Sequence, residues 1–251
     1  MRTPKVQHKI PKIVHHIWTS GDPYASIWHE YRTSWMRCNP DYTFMFWDID
    51  AIMSKLHLFK ESSRLLLKSD LFWEVKFDVA TWDILYLYGG IKADHDTICQ
   101  KSFDDLLNCS SFVAEGYDEC EVGISIVGMS QQNPLAIEIG EEVNKQINIG
   151  MKSNFDKKFY YYTDIYPVPV FKKCERHLPR EFFYPYPWKA RKVGAITKYP
   201  DAYAVHTWGA FDLHKNGWEG FVKEARKDEK YEKATQQARD YHSKTYRRIE
   251  I

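Results

Sequence analysis

The chain has 251 residues, 44% apolar and 27% charged, with a formal net charge of +1. That length suits one large domain or a domain with an appendage, and that apolar content excludes a disordered chain. The near-neutral charge excludes a strongly basic nucleic-acid binder, and no run of residues approaches the roughly 20 apolar positions of a membrane-spanning helix.

Five cysteines (Cys38, Cys99, Cys109, Cys120, Cys174) are odd in number and form no CxxC pair. Neither a disulfide framework nor a zinc site is expected from them, and a reducing compartment fits best. Met1 to Lys12 is basic and polar, without the apolar segment of a signal peptide. The expectation is a soluble cytoplasmic protein, bacterial or, if viral, in the host cytoplasm, with no transmembrane anchor. The 17 Tyr, 14 Phe and 9 Trp suit an aromatic core and also a cleft for sugars and bases.

In chain order, Lys12–Trp18 reads as a first strand and runs into the loop Thr19-Ser20-Gly21-Asp22-Pro23. Tyr24–Arg37 is helical, with Ile27, Tyr31, Ser34 and Trp35 along one side, and Asn39-Pro40-Asp41 breaks it. Tyr42–Trp47 is a short aromatic strand. Ala51–Leu67 reads as helical pieces interrupted near Glu61-Ser62. Asp70–Tyr88 is the strongest helix: Phe77, Ala80, Ile84 and Leu87 repeat at three and four, Asp70 is placed to cap it, and Gly89 or Gly90 ends it. Strands follow at Gly90–Ala93, Thr97–Gln100, Ser111–Ala114 and Val122–Val127, then a helix from Asn133-Pro134 to about Ile149. Residues 150–215 read as irregular apart from a strand at Tyr203–His206. Residues 216–251 form a charged helical tail. Strands alternating with helices through the first 150 residues predict an α/β domain with a mostly parallel sheet flanked by helices.

Two Asp-x-Asp pairs occur, Asp48/Asp50 and Asp94/Asp96. Alone the motif is weak, because chance predicts about one in a chain of this composition. Position separates the pairs. Asp48 and Asp50 open a helix, where carboxylates cap amides and favour the dipole. Asp94 and Asp96 end a strand, where open α/β sheets hold ligands and hard carboxylate oxygens hold a divalent cation. From Asp78 to Tyr88 the helix climbs roughly 15 Å, and the strand from Gly90 returns roughly 13 Å to Asp94. Asp78 and Asp94 are therefore expected at one end of the fold. His95 is expected on the opposite face of its strand from Asp94, and adjacent His15 and His16 are expected to diverge for the same reason.

The run Lys76-Phe77-Asp78, Ile84-Leu85-Tyr86-Leu87-Tyr88-Gly89-Gly90-Ile91 and Asp94-His95-Asp96 resembles the Asp-x-Asp sugar transferases, specifically the family of yeast-type α-1,6-mannosyltransferases and bacterial capsule glycosyltransferases, and distantly the glucosylating clostridial toxins. The blocks Ile10–Trp18, Ser34–Asp48, Phe183-Tyr184-Pro185 and Ala204–Trp208 resemble that family in the same order. The resemblance implies a Rossmann-like (GT-A type) glycosyltransferase domain over 1–215, its donor-binding half about 10–110 and its acceptor half about 111–215, followed by the tail. It implies a retaining transferase moving a hexose from a nucleotide-diphosphosugar (UDP- or GDP-hexose) to a glycan acceptor, with Mn²⁺ or Mg²⁺. Asp96 would ligate the metal, Asp94 would contact ribose or the metal through water, and Asp78 would hold donor hydroxyls. Trp18 would lie on the base, and His206 with Trp208 would close over the diphosphate, with His206 near the metal. The chain departs from the family at Thr81, where an Arg is usual, and at Gly209-Ala210-Phe211 in place of a Ser-Trp pair. A metal-dependent phosphoesterase and a non-catalytic sugar-nucleotide or glycan-binding module stand as alternatives.

Overall fold

The computed structural model describes residues 9–17, 26–71, 73–117, 122–152, 168–187 and 199–208. Trp18, Gly209-Ala210-Phe211 and the tail expected at 216–251 lie outside these residues. The strands are β1 (Ile13–Ile17), β2 (Thr43–Trp47), β3 (Gly90–Ala93), β4 (Thr97–Cys99), β5 (Ser111–Glu115), β6 (Val122–Met129), β7 (Arg176–Leu178) and β8 (Ala204–His206). The helices are α1 (Ser26–Cys38), α2 (Ile49–Ser54), α3 (Glu61–Lys68), α4 (Trp73–Tyr88), α5 (Pro134–Lys152) and α6 (Val168–Phe171).

Six strands form one sheet in the order β2-β1-β3-β6-β5-β7. β1 runs parallel to β2 and β3, β6 runs antiparallel to β3 and β5, and β7 runs parallel to β5. The sheet is thus mixed and mostly parallel, with β6 reversed, as the alternation of elements predicts. β4 and β8 pair antiparallel as a separate ribbon.

Each face of the sheet buries its own core. Val113, Val127 and Met129 pack with Val79, Ala80 and Ile84 of α4 and with Ile139 and Val143 of α5. Ile91, Ala93, Phe112, Ala114 and Ile126 pack with Trp35 of α1 and with Phe103 and Phe183. Successive residues of β5 and β6 fall into alternate cores, the period of two of a strand buried on both sides. The same alternation sends His15 to Trp47 and Tyr88 and His16 to Trp35, so the two histidines diverge as expected.

Three expectations need correction. The break after α2 falls at Lys55–Lys60, around a 3-10 turn at Leu56–Leu58, and Glu61 opens α3. α4 begins at Trp73, which leaves Asp70 in a bend ahead of it rather than at its cap. β7 lies inside the stretch expected to be irregular; three residues with one buried side chain offer too short a pattern to read.

Candidate metal centre

The reversal from α4 into β3 is made by two glycines in the left-handed half of backbone space, Gly89 at φ 61 and Gly90 at φ 101. A Cβ on Gly90 would stand 2.6 Å from the Ile13 carbonyl oxygen, and one on Gly89 would stand 2.5 Å from the Gln131 nitrogen. Only glycine lets α4 end here and β3 start against β1 without strain. All four residues of β3 are buried. Its pairing with β6 extends one residue further, because the Asp94 amide donates to the Ser125 carbonyl (2.9 Å).

After Asp94 the chain turns tightly. The Thr97 amide and hydroxyl both donate to the Asp94 carbonyl, at 3.2 and 2.5 Å. Asp96 sits in that turn, and its carbonyl accepts from the amide and hydroxyl of Thr207, both at 2.8 Å. β8 pairs with β4 so that His206 stands opposite Thr97. His206 Nε2 comes 3.1 Å from Asp96 Oδ1, and both side chains are almost fully buried, at 8% and 7% exposure. One ligand atom from each of Asp94, Asp96 and His206 lies within 4.8 Å of the others, the one such group among the described residues. Two ligands of a common cation at bond lengths of about 2.0–2.5 Å sit at such separations. The other ring nitrogen of His206, Nδ1, is buried without a hydrogen-bond partner among the described residues, an unsatisfied atom of the kind a bound group pairs. Two carboxylates and an imidazole form a hard, mixed O/N donor set, which fits Mn²⁺ and, less closely, Mg²⁺.

Aromatic side chains wall the centre. The His206 and Trp208 ring centroids are 4.2 Å apart, and Tyr184 lies 5.8 Å from His206 and 6.0 Å from Trp208. Trp208 takes φ 59, unusual for a bulky residue, and its indole donates to the Tyr186 carbonyl (3.1 Å). Tyr184 accepts from the Ser125 amide (3.0 Å), which ties this wall to β6 beside Asp94. Tyr31 of α1 bonds Thr207 and senses the Asp96 charge; burial first, and that charge as well, push its hydroxyl pKa up. Burial, with Tyr199, Tyr31 and Asp96 nearby, pushes Tyr186 up to about 12. Both phenols therefore stay protonated as hydrogen-bond donors. Tyr31, Tyr184 and Tyr186 are absent from the sequence-based site; for Tyr31 the one available signal was its place on the inward stripe of α1.

Asp78 lies half-buried on α4. The ring of its neighbour Phe77 lies 4.8 Å from the Lys92 ammonium, and Lys92 forms an ion pair with Asp94. Phe77 and Asp94 thus flank one lysine. Thr81 is buried, and its hydroxyl donates to the Phe77 carbonyl within the helix (3.0 Å). His95 falls on the other face of β3, its ring 5.5 Å from His16 and 5.6 Å from Phe46. Burial above all, with the Arg32 charge nearby, pushes His16 down to about 3 and His95 well below the usual histidine range. These neutral rings pack beneath the sheet and take no place among the three ligands. Asp48 caps α2, accepting from the Ala51 amide at 2.8 Å, so the twin motif has the structural task its position predicts.

Residues 26–113 match the family described as "Glycosyltransferase sugar-binding region containing DXD motif". Inositol phosphoceramide mannosyltransferase 1 of Schizosaccharomyces pombe is 31% identical over 113 residues, 44% of this chain and 35% of that protein. An uncharacterized glycosyltransferase of Acanthamoeba polyphaga mimivirus is 34% identical over 107 residues, 41% of this chain and 42% of that one. The chain thus spans less than half the length of the curated relatives it matches. Among solved structures, the apo form of glycosyltransferase GlyE from Streptococcus pneumoniae overlaps 78% of this chain and 54% of its own at 14% identity and a TM-score of 0.47. The family match spans Asp78, Asp94 and Asp96, so residues 26–113 of this chain are similar to the glycosyltransferase sugar-binding region that contains a DXD motif.

Proposed function

We propose that the protein is a metal-dependent, retaining glycosyltransferase that moves a hexose from a UDP- or GDP-sugar to a glycan or other hydroxyl acceptor. The observation that carries this reading is the convergence of Asp94, Asp96 and His206 at the end of β3. Asp96 and His206 hold Mn²⁺ or Mg²⁺, and Asp94 completes the pair directly or through water. The bound cation supplies Lewis-acid stabilisation to the departing diphosphate, worth several kcal/mol. The chain's own residues bind and orient the donor. Asp78 receives sugar hydroxyls, Trp18 lies on the base, and His206 and Trp208 cover the diphosphate and exclude water. No residue is assigned as nucleophile; the acceptor attacks from the side the diphosphate leaves, which preserves the anomeric configuration.

Two relatives are named mannosyltransferases, so mannose donors come first in a panel of UDP- and GDP-sugars. Purified protein is incubated with each donor, an acceptor glycan and Mn²⁺, and released nucleotide is measured. Asp96→Asn is expected to lower turnover at least a hundredfold, because it removes a ligand of the cation whose charge is aimed at the leaving group. Unchanged transfer by Asp96→Asn rejects the metal-centred reading, and donor binding without turnover by the wild type favours a binding module. Fast donor hydrolysis without acceptor would favour a phosphoesterase. A two-metal hydrolase wants a second carboxylate and histidine cluster, and the described residues hold a single group.

A further inference from the structure

Lys92 is 2% exposed, on a strand buried on both faces. A buried ammonium needs a counter-charge and hydrogen-bond acceptors. Lys92 finds both at the metal centre. It pairs with Asp94 Oδ1, donates to the Ile124 carbonyl on β6 (3.1 Å) and lies over the face of Phe77 on α4 (4.8 Å). Three elements thus fix its position. Residues 92 and 94 share a strand face, so the pair follows from the period of two.

The two aspartates consequently stand in unlike surroundings. Asp96 is 7% exposed and faces His206 Nε2; Asp94 is 24% exposed and faces a cation of the protein itself. A divalent ion approaching Asp94 meets a carboxylate whose charge is already offset, and it meets the repulsion of the ammonium behind it. We propose that Lys92 is a positioning residue that divides the work of the two aspartates. It withholds Asp94 from direct cation ligation and presents that carboxylate to hydroxyls of the donor, leaving Asp96 and His206 as the protein's direct ligands. The formal charge of the centre is then −1, from two carboxylates and one ammonium. Free cation binds weakly there, and donor diphosphate must complete the coordination. This rests on the transferase reading above, in which the family resemblance already implies unlike roles for Asp94 and Asp96, and adds Lys92 as the residue that separates them.

The test is Mn²⁺ binding to the full chain without nucleotide, followed by the electron paramagnetic resonance signal of unbound ion. Lys92→Met keeps the length and apolar stem and removes the charge; about tenfold tighter Mn²⁺ binding is expected, with weaker donor-sugar affinity. Lys92→Arg is expected to behave as wild type. Asp94→Asn is expected to weaken Mn²⁺ binding by about tenfold, through the charge it removes, and Asp96→Asn by more than about a hundredfold, through the charge and a lost ligand bond. A folded Lys92→Met with unchanged or weaker Mn²⁺ binding overturns the proposal. Equal losses in Asp94→Asn and Asp96→Asn also overturn it, and that comparison stands even if Lys92→Met fails to fold. Should neither the wild type nor Lys92→Met bind Mn²⁺, the cation and the division of roles both fall. Mn²⁺ binding with equal aspartate losses removes the role of Lys92 alone.

Discussion

At the residue scale, His15 shows how tightly the ground beneath the site is specified. Its Nδ1 accepts from the Trp47 indole (3.0 Å), so its Nε2 carries the proton and donates to the Gly89 carbonyl (2.7 Å). A second ring proton would face the indole N–H. Burial pushes His15 down to about 4, with the Gly89 carbonyl pulling weakly upward. Burial and then the Arg32 charge push His16 down to about 3. Both folded values lie below the ordinary 6.5, so as the pH falls the unfolded chain takes up protons first. The stability these rings contribute is complete above pH 6.5 and drains away towards pH 4 and 3. From pH 7 to pH 5 each is expected to cost roughly 2 kcal/mol, read as a lower urea midpoint. A midpoint that stays level across that window would contradict neutral buried rings.

At the element scale, the join between α4 and β3 sets where the aspartates arrive. Its two glycines were legible from the run Leu87-Tyr88-Gly89-Gly90, and so was the helix before them, because both are local patterns. Gly90→Ala sets a side chain at φ 101 against the Ile13 carbonyl, where β1 and β3 pair. The expected loss is about 3 kcal/mol in thermal or urea unfolding, with site geometry disturbed in the fraction that folds. The ribbon of β4 and β8 was legible only in pieces. Its strands were each readable, but their pairing joins residues more than a hundred positions apart, and no local period encodes that. β7 escaped notice for a related reason: three residues become a strand because β5 offers an open edge.

At the scale of the whole molecule, the candidate metal centre joins two units of sheet. Asp94 belongs to the end of the main sheet, while His206 belongs to the ribbon, and the turn at Asp96 links them. An ion held by Asp96 and His206 favours the state in which the ribbon is docked. Mn²⁺ at a hundredfold excess over its dissociation constant is therefore expected to stabilise the fold by about 2.7 kcal/mol, raising the melting temperature by several degrees. The same addition to Asp96→Asn is expected to give less than about a third of that stabilisation; an equal rise in both would place the ion elsewhere. The α/β class, the carboxylate pair, its distinction from Asp48/Asp50 and the divergence of His15 and His16 could all be read from spacing. Backbone periodicity and turn chemistry act over a few residues, and spacing records them. Lys92 beside Asp94 also follows from the period of two along one strand. The geometry of His206 on Asp96 and of the tyrosines around them could not be read in that way: it depends on which distant segments share a core, and that is settled when burial and strand pairing outweigh the entropy of closing long loops.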